Sequence, residues 1–295
     1  MTTTTFAMRR ATPADKAEVV ALSRAVSEHD FIPEIYDDLM NCTEPEGFFV
    51  AEQEGRIIGC YCLEFHAPEQ AYFFGMRIHP GAQGKGIGSQ FCRAQIEQAL
   101  AAGAREIYLL SALDNLRAHR TVAKNGFVNR GPWVIYDSLT QLPALPEARR
   151  ARWARPADRE AIERFRQARA TGPLAEVIAS RLTGWAVVTT SPAEWALEST
   201  ALVEGEGGLE GLMLLTQTED GLLLRWLDGS PGAAADLLSF ALRARAERGL
   251  EPFTISLPMA AEPLLAPLQL SDEQAFRAYV FHFPPGTALP EQKSG

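Results

Sequence analysis

The 295-residue chain is 46% apolar and 22% charged, with a net charge of −9. That composition gives core enough for about two ordinary domains and excludes a disordered chain. The acidic balance argues against a nucleic-acid partner, although it leaves room for a local anion site, and no stretch is long and apolar enough to span a membrane. Four cysteines show no paired zinc spacing and no disulfide framework, and Met1 is followed by four threonines rather than by a basic and then an apolar region. The expectation is a cytoplasmic protein with no metal.

In chain order, residues 16–26 have helical spacing, and a second helical segment covers 31–40. The runs 47–52 and 56–65 read as strands joined by the turn Glu54-Gly55. Cys60, Cys62 and Glu64 alternate onto one face of the second run, His66 shares that face, and the cysteines read as small buried hydrophobes. The apolar run 71–78 then leads into His79-Pro80-Gly81-Ala82-Gln83-Gly84-Lys85-Gly86-Ile87-Gly88, after which Phe91, Ile96 and Leu100 recur at helical spacing. Glycines 84, 86 and 88 admit positive φ and close approach, and a helix start offers unpaired N–H groups at the positive end of its dipole. Such a turn binds phosphate or pyrophosphate. It fits neither the dinucleotide fingerprint, which needs a further glycine, nor the P-loop, which needs Gly-Lys-Ser/Thr after four residues. A strand at 106–111, a helix at 114–124 with His119 facing solvent, and a closing strand at 128–139 complete the first half.

Gln83, Gly86 and Gly88 match the pattern Gln/Arg-x-x-Gly-x-Gly/Ala. Asn115, Ala118, Lys124, Gly126 and Phe127 match Asn-x-x-Ala-x-x-Leu-Tyr-x-Lys-x-Gly-Phe at the right distance downstream. On these two motifs the first half resembles the GCN5-related N-acetyltransferases (GNAT). The resemblance implies an α+β fold with a mixed α/β sheet, acetyl-CoA as co-substrate, and direct attack by an amine in a ternary complex. It also implies an acyl-CoA site made of Met76, Arg77, Ile78, Gln83, Gly84, Lys85, Gly86, Ile87, Gly88, Ser89 and Asn115. There the N–H groups of 84–88 and the Lys85 ammonium take the pyrophosphate, the strand ending at Ile78 pairs with the pantetheine arm, and an N–H near 76–78 polarises the thioester. Asn115 reads either as a pantetheine contact or as a helix cap.

Two positions depart from the family pattern. Val122 stands where a tyrosine often protonates the leaving thiolate, and Tyr72 where some relatives carry a glutamate base. The acid–base candidates are therefore Glu64, His66 and Tyr72, with Glu69 and His79 nearby.

Ala11-Thr12-Pro13-Ala14-Asp15 recurs as Ala154-Arg155-Pro156-Ala157-Asp158, an offset of 143 residues, and each copy opens a helix. A tandem duplication follows: a GNAT domain over 1–140, a Pro-containing linker over 141–151, and a GNAT-like domain over 152–295. The second copy reads as strands at 185–190, 199–203, 211–217 and 221–227, a helix at 233–248, and a strand at 253–257. Its strand-to-helix turn is Asp228-Gly229-Ser230-Pro231-Gly232, without the glycine pattern, so this half lacks the pyrophosphate loop.

The expected activity is acetyl-CoA-dependent N-acetylation of a small amine or amino acid, and the alternative is a non-catalytic acyl-CoA-binding or sensing module. Residues 28–46 hold seven acidic side chains and no lysine or arginine, which read as a rim attracting cationic amines or as a solvated face. Residues 31–39 and Gly75-Met76-Arg77-Ile78 also resemble the vertebrate histidine N-acetyltransferase group, implying a free amino acid or small amine as acceptor. No nucleic acid or membrane partner is expected, and a homodimer is an admissible assembly.

Overall fold

The computed structural model describes residues 6–67, 69–84, 86–168, 174–178, 186–190, 197–217 and 221–290. Lys85 and Trp185 lie outside them. Contacts divide the chain into two compact units. One comprises Met1–Arg130, Ala179–Val188 and Tyr279–Gly295; the other comprises Gly131–Ile178 and Thr189–Ala278.

The first unit contains β1 (Ala7–Arg10), α1 (Lys16–Val26), α2 (Ile32–Met40), β2 (Gly47–Gln53), β3 (Arg56–Ala67), β4 (Gln70–Ile78), α3 (Ile87–Ala101), β5 (Glu106–Ala112) and α4 (Leu116–Lys124). β1 to β4 are successive antiparallel neighbours and β4 pairs with β5 in parallel. The strand after β5 in the sheet comes from the far end of the chain, since residues 279–283 of β14 (Ala275–Phe283) belong to this unit. Period-two alternation sorts the side chains by face. Phe49, Tyr61, Leu63, Ala71 and Phe73 pack with Phe91, Cys92 and Ile96 of α3, and Phe127, Phe281 and Phe283 join the same core. The opposite face carries Phe48, Cys60, Cys62, Glu64, Tyr72 and Phe74 and meets α1 and α2, as the Tyr36–Phe48 ring contact at 5.7 Å shows.

The second unit contains β6 (Val128–Leu139, from Gly131 onward), β7 (Arg152–Trp153), α5 (Arg159–Gln167), β8 (Leu174–Ile178), the last two residues of β9 (Ala186–Thr190), β10 (Thr200–Gly205), β11 (Gly208–Gln217), β12 (Leu222–Gly229), α6 (Pro231–Arg248) and β13 (Phe253–Pro258). Its sheet order is β7-β10-β11-β12-β13-β6, again with one parallel step, between β12 and β13. The fold is thus mixed α/β, in two units.

Two short edge strands, β1 and β7, carry no apolar period and were not legible in the sequence. Each is tied down by an arginine whose two terminal nitrogens grip an aspartate: Arg9 holds Asp15 at 2.8 and 2.9 Å, and Arg152 holds Asp158 at 2.7 and 2.9 Å. These pairs sit at the same offset of 143 residues as the Pro-Ala-Asp motifs. Among the described residues the second unit has no counterpart of α4. Pro263 and Pro267 interrupt residues 259–268, which wind as 3-10 turns instead.

Candidate active site

β4 and β5 pair only from Gln70↔Glu106 to Phe73↔Leu109, whereas the ladder between β3 and β4 continues to Gly59↔Ile78. Past Phe73, then, β4 has a ladder on one side only among the described residues, and a wedge opens toward the carboxyl ends of the two strands. The register against β3 also slips: Cys62 faces Phe74 but Cys60 faces Arg77, which puts an extra residue into β4 at Gly75-Met76. This is a β-bulge. Gly75 takes φ +64°, and a Cβ there would stand 2.8 Å from Cδ1 of Ile32 in α2, so conformation and neighbour both call for glycine. A glycine inside an apolar strand was the available signal.

β4 ends in the loop. His79 Nδ1 accepts the Gly81 N–H at 3.1 Å, and Gln83 donates through Nε2 to the Ile78 carbonyl at 2.9 Å. Arg117 of α4 donates to the Gln83 side-chain carbonyl, so that glutamine is held from both sides. Gly84 and Gly86 take φ of +82° and +79°, with no atom within 4 Å of where a Cβ would stand. Gly86 is the N-cap of α3 and offers no side-chain cap; the first helical hydrogen bonds come from Ser89 and Gln90 to its carbonyl. The N–H groups ahead of them start the helix without an intrahelical acceptor. An uncapped helix start behind an open glycine turn fits a pyrophosphate.

α4 packs beside this loop. Asn115 accepts the Ala118 N–H at 3.2 Å as its N-cap, and Asn125 at the other end donates to Ser89 Oγ at 3.0 Å, linking the two helices. Gly126 takes φ +95° and lies against Phe283. Val122 is buried in the core shared with Phe91 and Phe127. His119, expected at the surface, is instead half-buried, with Nε2 3.0 Å from the Ala112 carbonyl and its ring 5.2 Å from Phe281. β14 covers it, and no local pattern could signal a strand so distant in sequence.

On the α1–α2 face, Glu64 is fully buried, its Oε2 3.0 Å from His66 Nε2, and the His66 ring lies 5.9 Å from Tyr72. Burial holds the Tyr72 hydroxyl above its ordinary range, so it stays protonated near neutrality. Glu64, Tyr72 and Tyr108 are successive register partners across β3, β4 and β5. Beyond them Tyr108 stacks on His282 at 4.4 Å and donates to Glu106 at 2.6 Å, while Arg130 donates to His282 Nδ1 at 2.7 Å. Burial first, and then the Arg130 charge, push the His282 ring down to about 4. The Cys60 and Cys92 thiols are pushed up to about 12 by burial, and Cys62 well above its usual range, which leaves them poor nucleophiles. Glu69 pairs with Arg105 at 3.0 Å on the surface.

The acidic run is partly paired. Arg77 holds Asp30, Lys16 holds Asp37 at 2.7 Å, and Glu46 accepts the Phe65 N–H at 2.9 Å. Glu28, Glu34, Asp38 and Glu44 remain exposed.

A wedge between parallel strands, a bulge at its lip and a glycine turn feeding an uncapped helix define an acyl-CoA-type transferase fold. Residues 17–127 match the Acetyltransferase (GNAT) family, so the chain carries an acetyltransferase domain of that family. Mycothiol acetyltransferase of Amycolatopsis mediterranei (strain U-32) is 32% identical over 101 residues, which are 32% of this chain and 34% of that protein. The Streptomyces avermitilis mycothiol acetyltransferase is 32% identical over 96 residues, 32% of this chain and 30% of that protein. The chain thus spans about a third of the length of these relatives. The GCN5-related N-acetyltransferase from Sphaerobacter thermophilus is 17% identical with a TM-score of 0.56, over 96% of this chain and 98% of that one, so the fold is shared along the whole length. No described helix is long and apolar enough to cross a membrane.

Proposed function

We propose that the protein transfers the acetyl group of acetyl-CoA to the amine of a small molecule or amino acid, by direct attack in a ternary complex formed in the first unit. The observation that carries this reading is the bulged, one-sided end of β4 running into the glycine turn and the uncapped start of α3. In this reading the N–H groups from Gly84 to Gly88, with Lys85, take the pyrophosphate, Gln83 holds the loop in shape, and the open edge of β4 pairs with the pantetheine arm. Asn115 flanks that arm, and an N–H of the Met76–Ile78 segment polarises the thioester carbonyl. Acetyl-CoA supplies the activated acyl carbon. The amine nitrogen bonds to that carbon and loses a proton, the carbon–sulfur bond breaks, and the thiolate takes a proton from solvent because Val122 brings no hydroxyl.

Glu64, coupled to His66 and bordered by Tyr72, is the proposed proton acceptor, reached through water. The second unit, whose turn is closed by its own cap, takes no acyl-CoA. Thiol release from acetyl-CoA over a panel of amines, amino acids and aminoglycosides tests the reading. Glu64→Gln should lower kcat about a hundredfold while leaving the KM for acetyl-CoA in place. Tight acetyl-CoA binding without thiol release on any amine would instead mark a sensing module.

A further inference from the structure

Arg77 stands just past the Gly75 bulge, on the face that meets α1 and α2, opposite Cys60. Its Nε–H donates to the Asp30 carboxylate and one terminal N–H to the Met76 carbonyl at 3.1 Å, while the guanidinium lies 5.4 Å from the centre of the Phe31 ring. The Asp30 side chain is fully buried, and its other oxygen accepts the Ile32 N–H at 3.0 Å. One buried carboxylate thus starts α2 and fixes one edge of the arginine. The remaining edge, with the second terminal nitrogen, has no hydrogen bond to the described residues, and the side chain is 20% exposed.

The two arginines that lock the edge strands are built differently. Arg9 and Arg152 each turn both terminal nitrogens onto one aspartate, which is the geometry that locks an edge strand. Arg77 gives its aspartate only Nε and keeps part of its planar fork for something else. Three features suit the held edge to a second carboxylate: the charge is permanent, the fork is oriented by a buried acid, and the aromatic face of Phe31 limits its rotation. Its Cα lies within the backbone segment proposed to polarise the thioester.

We infer that Arg77 reads a carboxylate on the acceptor, so that the amine acetylated carries a carboxylate close to its nitrogen, as an α-amino acid does. The inference rests on the acetyl-transfer reading above. The carboxylate accepts from the outer edge of the guanidinium, which leaves the amine to face the thioester from the α1–α2 side.

The test uses the full chain and matched acceptors: an α-amino acid, its carboxamide and its decarboxylated amine. The wild type should prefer the acid. Arg77→Gln should lower kcat/KM for the acid about ten- to a hundredfold more than for the other two, mainly through KM. Arg77→Lys should restore part of the loss. A wild type without preference for the acid overturns the inference, and so does an Arg77→Gln protein that loses activity on all three acceptors equally, which is what a purely structural latch would give. The wild-type comparison decides alone where a thermal melt shows that the variant does not fold. Absence of thiol release with any acceptor is a separate result, which overturns the acetyl-transfer reading itself.

Discussion

The two strand-to-helix turns, one after β4 and one after β12, share a frame and differ in what they leave open. Both enter a helix from a sheet strand, and both strands bulge at a similar place: β4 at Gly75-Met76 and β12 at Arg225, between the pairs Leu215↔Leu224 and Leu214↔Trp226. In the second turn Ser230 caps α6 by accepting the Ala233 N–H at 3.2 Å, and Pro231 supplies no N–H at all. In the first, Gly86 brings no side chain and the donors are left for a ligand. A helix start binds anions only while the protein declines to cap it. The copies also differ in how they are completed. The first unit takes Tyr279–Phe283 from the end of the chain, and the second takes Gly131–Leu139 from the first repeat.

The most damaging way to break this comparison is to stop the chain after Ala278. Phe281 and Phe283 are buried in the first unit's core, and removing a buried phenylalanine costs about 3–5 kcal/mol, so losing both with their strand consumes most of a domain's stability. Calorimetry should then lose the first unit's transition, and acetyl-CoA binding should go with it. An unaltered melt would deny that strand any role in the unit.

Next come the turns themselves. Gly86→Glu places a carboxylate in the cradle at φ +79° and should abolish acetyl-CoA binding by titration calorimetry. Ser230→Ala should cost about 1 kcal/mol of second-unit stability and leave acetyl-CoA affinity unchanged. Reduced affinity in the Ser230 variant would mean that the second turn is a site after all.

Acid should separate the units, because all five histidines fall in the first. His282 is held down to about 4 from an ordinary value of 6.5, so between those limits the unfolded chain binds more protons than the folded one. Stability from this group is therefore complete above about 6.5 and declines as pH falls toward 4. Urea midpoints for the first unit should drop between pH 7 and pH 5, and His282→Gln should flatten that dependence.

The last pair of variants is the most symmetrical. Asp15→Ala and Asp158→Ala each remove a cap and an arginine partner, and each should cost about 1–2 kcal/mol by thermal melt. Unequal losses would show that the repeated clasp does different jobs in the two copies.

The fold class and the glycine turn were legible because they are local: periodicity and a spaced motif survive in one dimension. Gly75 was visible as a glycine in an apolar strand, but the bulge it makes needs β3 as a ruler. The pairing of Arg77 with Asp30 spans 47 residues and turned an apparently unbroken acidic run into one with an internal cation. His282 against Arg130, 152 residues apart, was beyond any pattern, as was the burial of His119 under the same strand. Side chains placed by the fold's long-range closure have no period to betray them.

That closure sets an order of events during synthesis. A ribosome delivers the turn, α3 and α4 well over a hundred residues before the strand that packs on them, so the nascent chain carries an unclosed first unit until Tyr279–Phe283 have been translated. Loop closure over such a separation is slow and leaves an apolar edge exposed meanwhile. A chain cut short anywhere before Tyr279 should therefore be a substrate for chaperones and proteases rather than a half-active protein, which makes that late strand a precondition for the proposed acetyl-CoA site.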